Sequence, residues 1–274
     1  MATAETKQPS FAATTPVSVG KVGIKSKDAQ ALADYYKSVV GLVELSRRPG
    51  VIVLGAGGDG FLEIEDVKSL RPDDPRSAGL FHTAFLLPGA ADLARWTQHA
   101  IDRKIAIDGA SDHLVSEAIY LTDPEGNGIE IYADRDRSQW GWDGKSVRMA
   151  TDALNFQNLM STHQPKSGDW QGAPDGTIIG HLHLRVGDAK EAESWWNETM
   201  NFDTVAKYGP SAVFLSTGGY HHHIGANVWH SRGAGRRDLD RTGLGWVELK
   251  SKDGLPKTVS DPWGTEVRVT SVAQ

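Results

Sequence analysis

Short runs in which apolar and polar residues alternate with a period of two are interleaved with stretches of helical spacing, and the order of these patterns repeats along the chain. A fixed shift lays residues 19–42 on residues 179–202. In each copy an alternating strand, Lys21-Val-Gly-Ile-Lys or His181-Leu-His-Leu-Arg, leads to an aspartate, Asp28 or Asp188, placed to cap the helix that follows. Tyr35-Tyr36 falls on Trp195-Trp196, an aromatic pair whose bulk pins a helix to a sheet. Gly41-Leu42 falls on Asn201-Phe202, a left-handed helix stop followed by an apolar anchor.

After each helix come two strand-like runs joined by a glycine turn, at residues 51–54 and 61–64 and again at 212–215 and 222–229. The middle of the chain repeats this grammar with a strand at 80–87, a helix at 91–103, and strands at 118–121 and 128–132 around the turn Asp123-Pro-Glu-Gly-Asn. A fourth copy is abbreviated: strands at 243–250 and 267–270 flank Asp261-Pro-Trp-Gly, with too few residues between them for a helix and an extra strand. The pattern predicts an α+β fold of βαβββ modules in two sequential pairs, a domain over 17–134 and a second over 177–274. Residues 1–16 read as a flexible arm, and 135–176 as a connector with a short helix near 150–160.

Composition narrows the chemistry. The 274 residues include 29 Lys and Arg against 35 Asp and Glu, a net charge of −6 with no basic run, which argues against nucleic acid as a partner. No apolar run reaches the length of a membrane span or of a signal-peptide core, so a cytoplasmic protein without membrane contact is expected. There is no cysteine, which removes disulfides, thiolate metal sites and cysteine nucleophiles together. A metal would have to sit on His, Asp or Glu, and ten histidines make such a site available.

The most specific stretch is His113-Leu-Val-Ser-Glu-Ala-Ile-Tyr-Leu-Thr-Asp-Pro-Glu-Gly-Asn-Gly-Ile-Glu130. It resembles the ring-cleavage signature of extradiol dioxygenases, in which a histidine precedes a tyrosine, then Asp-Pro-x-Gly, then a metal-binding glutamate. Ser111 stands two residues before the histidine, where glycine is more usual. Those enzymes belong to the vicinal oxygen chelate superfamily, shared with glyoxalases and bleomycin-resistance proteins and built from paired βαβββ modules. The likeness extends at the level of modules over nearly the whole chain. It is to the two-domain catechol-2,3-dioxygenase-like branch, which shares the run Gly219-Tyr-His-His-His-Ile-Gly.

Alternation after the turn puts Glu130 on the concave sheet face with Ile129 and Ile131 turned away, and His82 lies early on the first strand of the same module. The pair is a fragment of a 2-His-1-carboxylate site of the kind that holds Fe(II), or Mn(II), with open positions. The register where the resemblance places another first-strand histidine holds Lys21, and Glu63, which aligns with Glu130, is the candidate replacement. The second half carries a complementary set. His181 stands at the first-strand ligand position, and His221 and His223 share a strand face, with His223 and Glu248 as possible completions. There Trp246 and Arg268 occupy the places of His82 and Glu130.

By the resemblance, His113 manages a proton or holds an oxygen at the metal, and Tyr120 hydrogen-bonds a substrate oxygen. The expected function is a metal-dependent extradiol-type dioxygenase acting with dioxygen on a catechol-like aromatic, in a chain that could form a homodimer. The alternatives are a glyoxalase-like isomerase or transferase using Glu63 and Glu130, and a non-enzymatic protein that sequesters a small aromatic molecule.

Overall fold

The computed structural model describes residues 9–272. Helix α1 (Phe11–Thr14) leads into the first module, β1 (Val17–Ser26), α2 (Ala29–Tyr35) continued by a wider turn over Tyr36–Val40, β2 (Val43–Arg48), β3 (Val51–Ala56) and β4 (Asp59–Asp66). The second module is β5 (Gly79–Leu86), α3 (Ala90–Arg103), β6 (Gly109–Asp112), β7 (Ser116–Thr122) and β8 (Gly128–Asp134). A connector follows with β9 (Trp142–Asp143), β10 (Ser146–Val147), β11 (Asp152–Ala153) and α4 (Phe156–His163). The third module is β12 (Ile178–Arg185), α5 (Ala189–Met200), β13 (Asp203–Tyr208), β14 (Ala212–Ser216) and β15 (Ile224–Asn227). The fourth, β16 (Gly243–Ser251), β17 (Lys257–Ser260) and β18 (Glu266–Ser271), lacks the helix as expected, but the stretch read as too short for an extra strand does hold one, β17, which pairs antiparallel with β18.

The repeat is physical as well as sequential. Asp28 caps α2 by accepting from the Ala31 N–H, and Asp188 caps α5 by accepting from the Glu191 N–H. The helices of both modules end in left-handed residues, Gly41 (φ 83°) and Asn201 (φ 56°). The two Asp-Pro turns are built alike: Asp123 accepts from the N–H groups of Glu125 and Asn127, and Asp261 from those of Trp263 and Thr265. Helix α4 starts later than the spacing suggests, because Asp152–Ala153 is drawn out as a strand against β6.

The modules do not pair in sequential order. One sheet runs β17-β18-β16-β1-β4-β3-β2 and joins the first module to the fourth; the other runs β11-β6-β7-β8-β5-β12-β15-β14-β13 and joins the second to the third. Each is a curled, half-barrel sheet centred on two antiparallel first strands, β1 with β16 and β5 with β12. The division into residues 17–134 and 177–274 therefore does not coincide with the two sheets. A module's local pattern specifies its own strands, whereas the partner of its first strand is a long-range choice that the pattern leaves open.

A continuous apolar core packs α2, α3 and α5 on the sheets, with Tyr36, Trp96 and Trp196 fully buried in it. A second cluster, Ala84, Leu86, Ala118, Tyr132 and Tyr220 with Trp140, fills one part of the concave face of the nine-stranded sheet. Part of the arm expected to be flexible belongs to that cluster: Phe11 packs on Trp140 and Tyr220, and Ala12 is buried. Residues 1–8 of that arm lie outside the described residues. No helix among the described residues is long and apolar enough to cross a membrane.

Candidate metal centre

Strand periodicity builds the centre. On β5 the even positions His82, Ala84 and Leu86 face the concavity, and the parallel neighbour β8 sets Gly128 beside His82 and Glu130 beside Ala84. Ile129 and Ile131 point the other way, fully buried in the main core. Gly128 is required at its position, since a Cβ there would stand 2.2 Å from the Phe81 carbonyl oxygen and 2.9 Å from the Cβ of His82. Across the antiparallel seam, β12 sets His181 opposite Ala84. Thus a histidine from the third module completes the pair from the second.

The donors converge. His82 Nε2 lies 3.0 Å from Glu130 Oε2, His181 Nε2 lies 3.1 Å from the same oxygen, and the two imidazole nitrogens are 3.3 Å apart. All three side chains are buried, and no other group of three His, Asp or Glu donors gathers among the described residues. Two ligands bonded at about 2.1 Å and held at a right angle stand about 3.0 Å apart, so these separations match one face of an octahedron. Burial pushes the Glu130 carboxyl up, but the two imidazoles outweigh it and hold the group well below the usual carboxylate range. Burial lowers His181 to about 4 against the pull of Glu130, which leaves a neutral imidazole, the form that binds a metal. A buried carboxylate between two buried imidazoles, with no Lys or Arg bonded to it, is a donor set that a divalent metal fits.

His113 and Tyr120 adjoin the centre. The His113 ring donates from Nδ1 to the Ala150 carbonyl (2.7 Å), which leaves Nε2 to accept from the Tyr120 hydroxyl at 2.5 Å. Burial and then the charge of Glu130 raise the Tyr120 phenol well above its ordinary value, so it remains a proton donor. Both residues line a cavity of about 490 Å³ that also reaches His82, Glu130 and His181.

Other expected ligands lie elsewhere. Glu63 belongs to β4 in the seven-stranded sheet, where it pairs with Arg48 at 2.6 Å and Lys21 at 3.6 Å. In that sheet Trp246 and Arg268 stack with the guanidinium 4.0 Å from the ring, and Glu248 lies opposite Lys21, so the positions that hold donors in one sheet hold cations and an indole in the other. His223 does not reach His181. Its Nδ1 meets the Ser216 hydroxyl (3.1 Å), and its Nε2 meets the Thr15 hydroxyl (3.1 Å) and the Ala12 carbonyl (3.3 Å), which ties the N-terminal segment down. His221 pairs with Asp134 at 2.8 Å.

His222 is the residue that strict alternation misses. Its ring centroid is 4.1 Å from that of His181, and it lines the cavity, while Nδ1 meets Nδ1 of His221 at 2.8 Å. Regular strand starts only at Ile224, so the period of two that groups His221 with His223 does not apply to this run. The three consecutive histidines were the available signal.

Burial drops the His223 imidazole to about 3. A base that is harder to protonate in the folded than in the unfolded chain costs stability as pH falls below its unfolded value near 6.5. Between pH 7 and pH 5 this residue is expected to remove about 2 kcal/mol. Thermal melts of His223→Gln should show a shallower acid slope than the wild type; equal slopes would assign the acid sensitivity to other groups.

Residues 18–131 match the family model described as Glyoxalase/Bleomycin resistance protein/Dioxygenase superfamily. The chain is 39% identical over 241 residues to a protein of Bacillus subtilis (strain 168) named Catechol-2,3-dioxygenase, covering 86% of this chain and 82% of the relative. Two crystal structures share the fold at 12% identity. Glyoxalase I from Zea mays has a TM-score of 0.56 with 94% of each chain covered, and the cppA protein from Streptococcus pneumoniae TIGR4 has 0.55 with 93% of this chain and all of that one covered. With a relative this similar over most of both lengths, and with paired βαβββ modules in its sheets, the chain belongs to the glyoxalase/bleomycin resistance protein/dioxygenase superfamily.

Proposed function

We propose that the protein is a metal-dependent extradiol-type dioxygenase acting on a catechol-like aromatic. One observation carries the reading: a buried facial set of two imidazoles and one carboxylate shares its cavity with a hydrogen-bonded His–Tyr pair. His82, Glu130 and His181 would hold the metal, Fe(II) first and Mn(II) as the alternative. When bound, that ion supplies chelation of two vicinal oxygens and activation of dioxygen.

The chain's own residues do the rest. The Tyr120 hydroxyl is placed to donate to a substrate oxygen, and His113, whose Nε2 accepts from Tyr120, restores or withdraws that proton. His222, on the cavity wall beside His181, is a second imidazole within reach of the same space. Phe81, Phe214, Trp229 and Met149 provide an apolar wall for an aromatic ring and limit access of water. The isomerase alternative took its second carboxylate from Glu63, which sits on the other sheet beside Arg48.

Anaerobic loading with Fe(II), followed by oxygen uptake with catechol and absorbance of a yellow ring-fission product, tests the reading. Stoichiometric uptake is expected. An iron-loaded protein that consumes no oxygen with a panel of catechols would overturn it.

A further inference from the structure

His181, His183 and Arg185 lie at alternate positions of β12, and all three line the cavity. The first belongs to the metal centre, but the second has no role there. His183 is 3% exposed, and its Nε2 has no hydrogen-bond partner among the described residues. Its ring is enclosed by His82, Phe81, Trp229 and Phe214, at centroid distances of 5.0, 5.2, 5.2 and 5.7 Å; none of them hydrogen-bonds that nitrogen, and the Nε2 of His82 is turned to Glu130 and His181 instead.

The seat is built for an imidazole. Gly225 is its neighbour on β15, and a Cβ at that position would stand 2.8 Å from His183 Cδ2 and 3.0 Å from Nε2. Any other residue at 225 would push the ring out of place. A buried nitrogen without a partner is costly, so a position that maintains one on the wall of a ligand cavity points to a partner that arrives with the ligand.

We propose that His183 is a specificity-determining residue, and that the preferred catechol carries an uncharged hydrogen-bonding substituent, such as a hydroxyl or carbonyl oxygen, that pairs with its Nε2. The proposal rests on the ring-cleavage reading above. Two residues along a strand span about 6.6 Å, comparable to an aromatic ring with its first substituent, so a ring whose two hydroxyls meet the centre extends past His183. The substituent is uncharged because the single Lys or Arg of the cavity wall, Arg185, already has its charge matched by Asp73 at 2.6 Å, although its Nε has no hydrogen-bond partner among the described residues.

The test compares two near-isosteric pairs, 3-hydroxycatechol against 3-methylcatechol and the corresponding 4-substituted pair, by anaerobic titration followed through tryptophan fluorescence. In at least one pair the wild type should bind the hydroxylated ring more tightly by about tenfold or more. His183→Phe, with His183→Leu as the second apolar variant, should reduce that ratio to about twofold or less, each variant's ratio being taken between the two members of one pair. His183→Gln, which keeps an N–H near the position of Nε2, should preserve the preference. Equal affinities in both pairs for the wild type, or a preference that survives the apolar variants, would overturn the proposal, as it would if solvent satisfied the nitrogen. Oxygen uptake with plain catechol is measured alongside. Its absence defeats the ring-cleavage reading, whereas uptake with a flat binding ratio defeats only the role of His183.

Discussion

Glu130→Ala is expected to abolish tight metal binding. Glu130 is the only anion of the donor set, and both imidazoles meet its Oε2 at 3.0 and 3.1 Å. Losing a supporting partner of a metal ligand costs about ten- to a hundredfold in affinity, and loss of the charged ligand itself should exceed a hundredfold. His181→Ala should be as damaging as His82→Ala, because the centre is assembled across the β5–β12 seam rather than within one module. Glu63→Ala and His223→Gln should retain the wild-type metal content, since both residues sit outside the cavity. Metal analysis after reconstitution and dialysis reads all five proteins. Full metal in Glu130→Ala and His181→Ala would show that the donor set is misassigned.

The second large effect is on turnover without loss of metal. His113→Phe removes the imidazole that accepts from Tyr120, and positioned acid–base groups contribute about 10² to 10⁴ in rate. A fall in kcat/KM of that size is expected, with metal content unchanged because His113 is not a donor to the centre. Tyr120→Phe should lower kcat/KM in the same direction. The double variant should lose little more than the worse single one, since the two groups act as a unit through one 2.5 Å hydrogen bond. Additive losses, or unchanged kinetics in either single variant, would refute a shared proton-handling role.

Much of the fold was legible from local pattern. Asp28 and Asp188 are caps, Gly41 and Asn201 are left-handed stops, and both Asp-Pro turns close as their residues dictate. The strands missed were β2, β6, β13 and β17 in the modules and the two-residue β9, β10 and β11 in the connector, which carry little apolar alternation and gain their order from neighbours rather than from their own residues. Glu130 and His82 were recoverable as a pair because both lie in one module, on adjacent parallel strands.

Within a strand the sequence by itself determined which side chains share a face, because successive residues point to opposite sides whatever the strand pairs with. It also determined the modules, their caps and turns, and the shortening of the fourth, all of which depend on contacts a few residues long. Only the tertiary structure decided that β5 pairs with β12 and β1 with β16. That pairing joins two half-sets of ligands into one centre at His82, Glu130 and His181, and leaves Lys21, Trp246 and Arg268 together in a sheet where no other such donor set gathers among the described residues. First strands of similar pattern are interchangeable locally. The choice between them is made by long-range burial of whole sheet faces, which no short stretch of residues encodes.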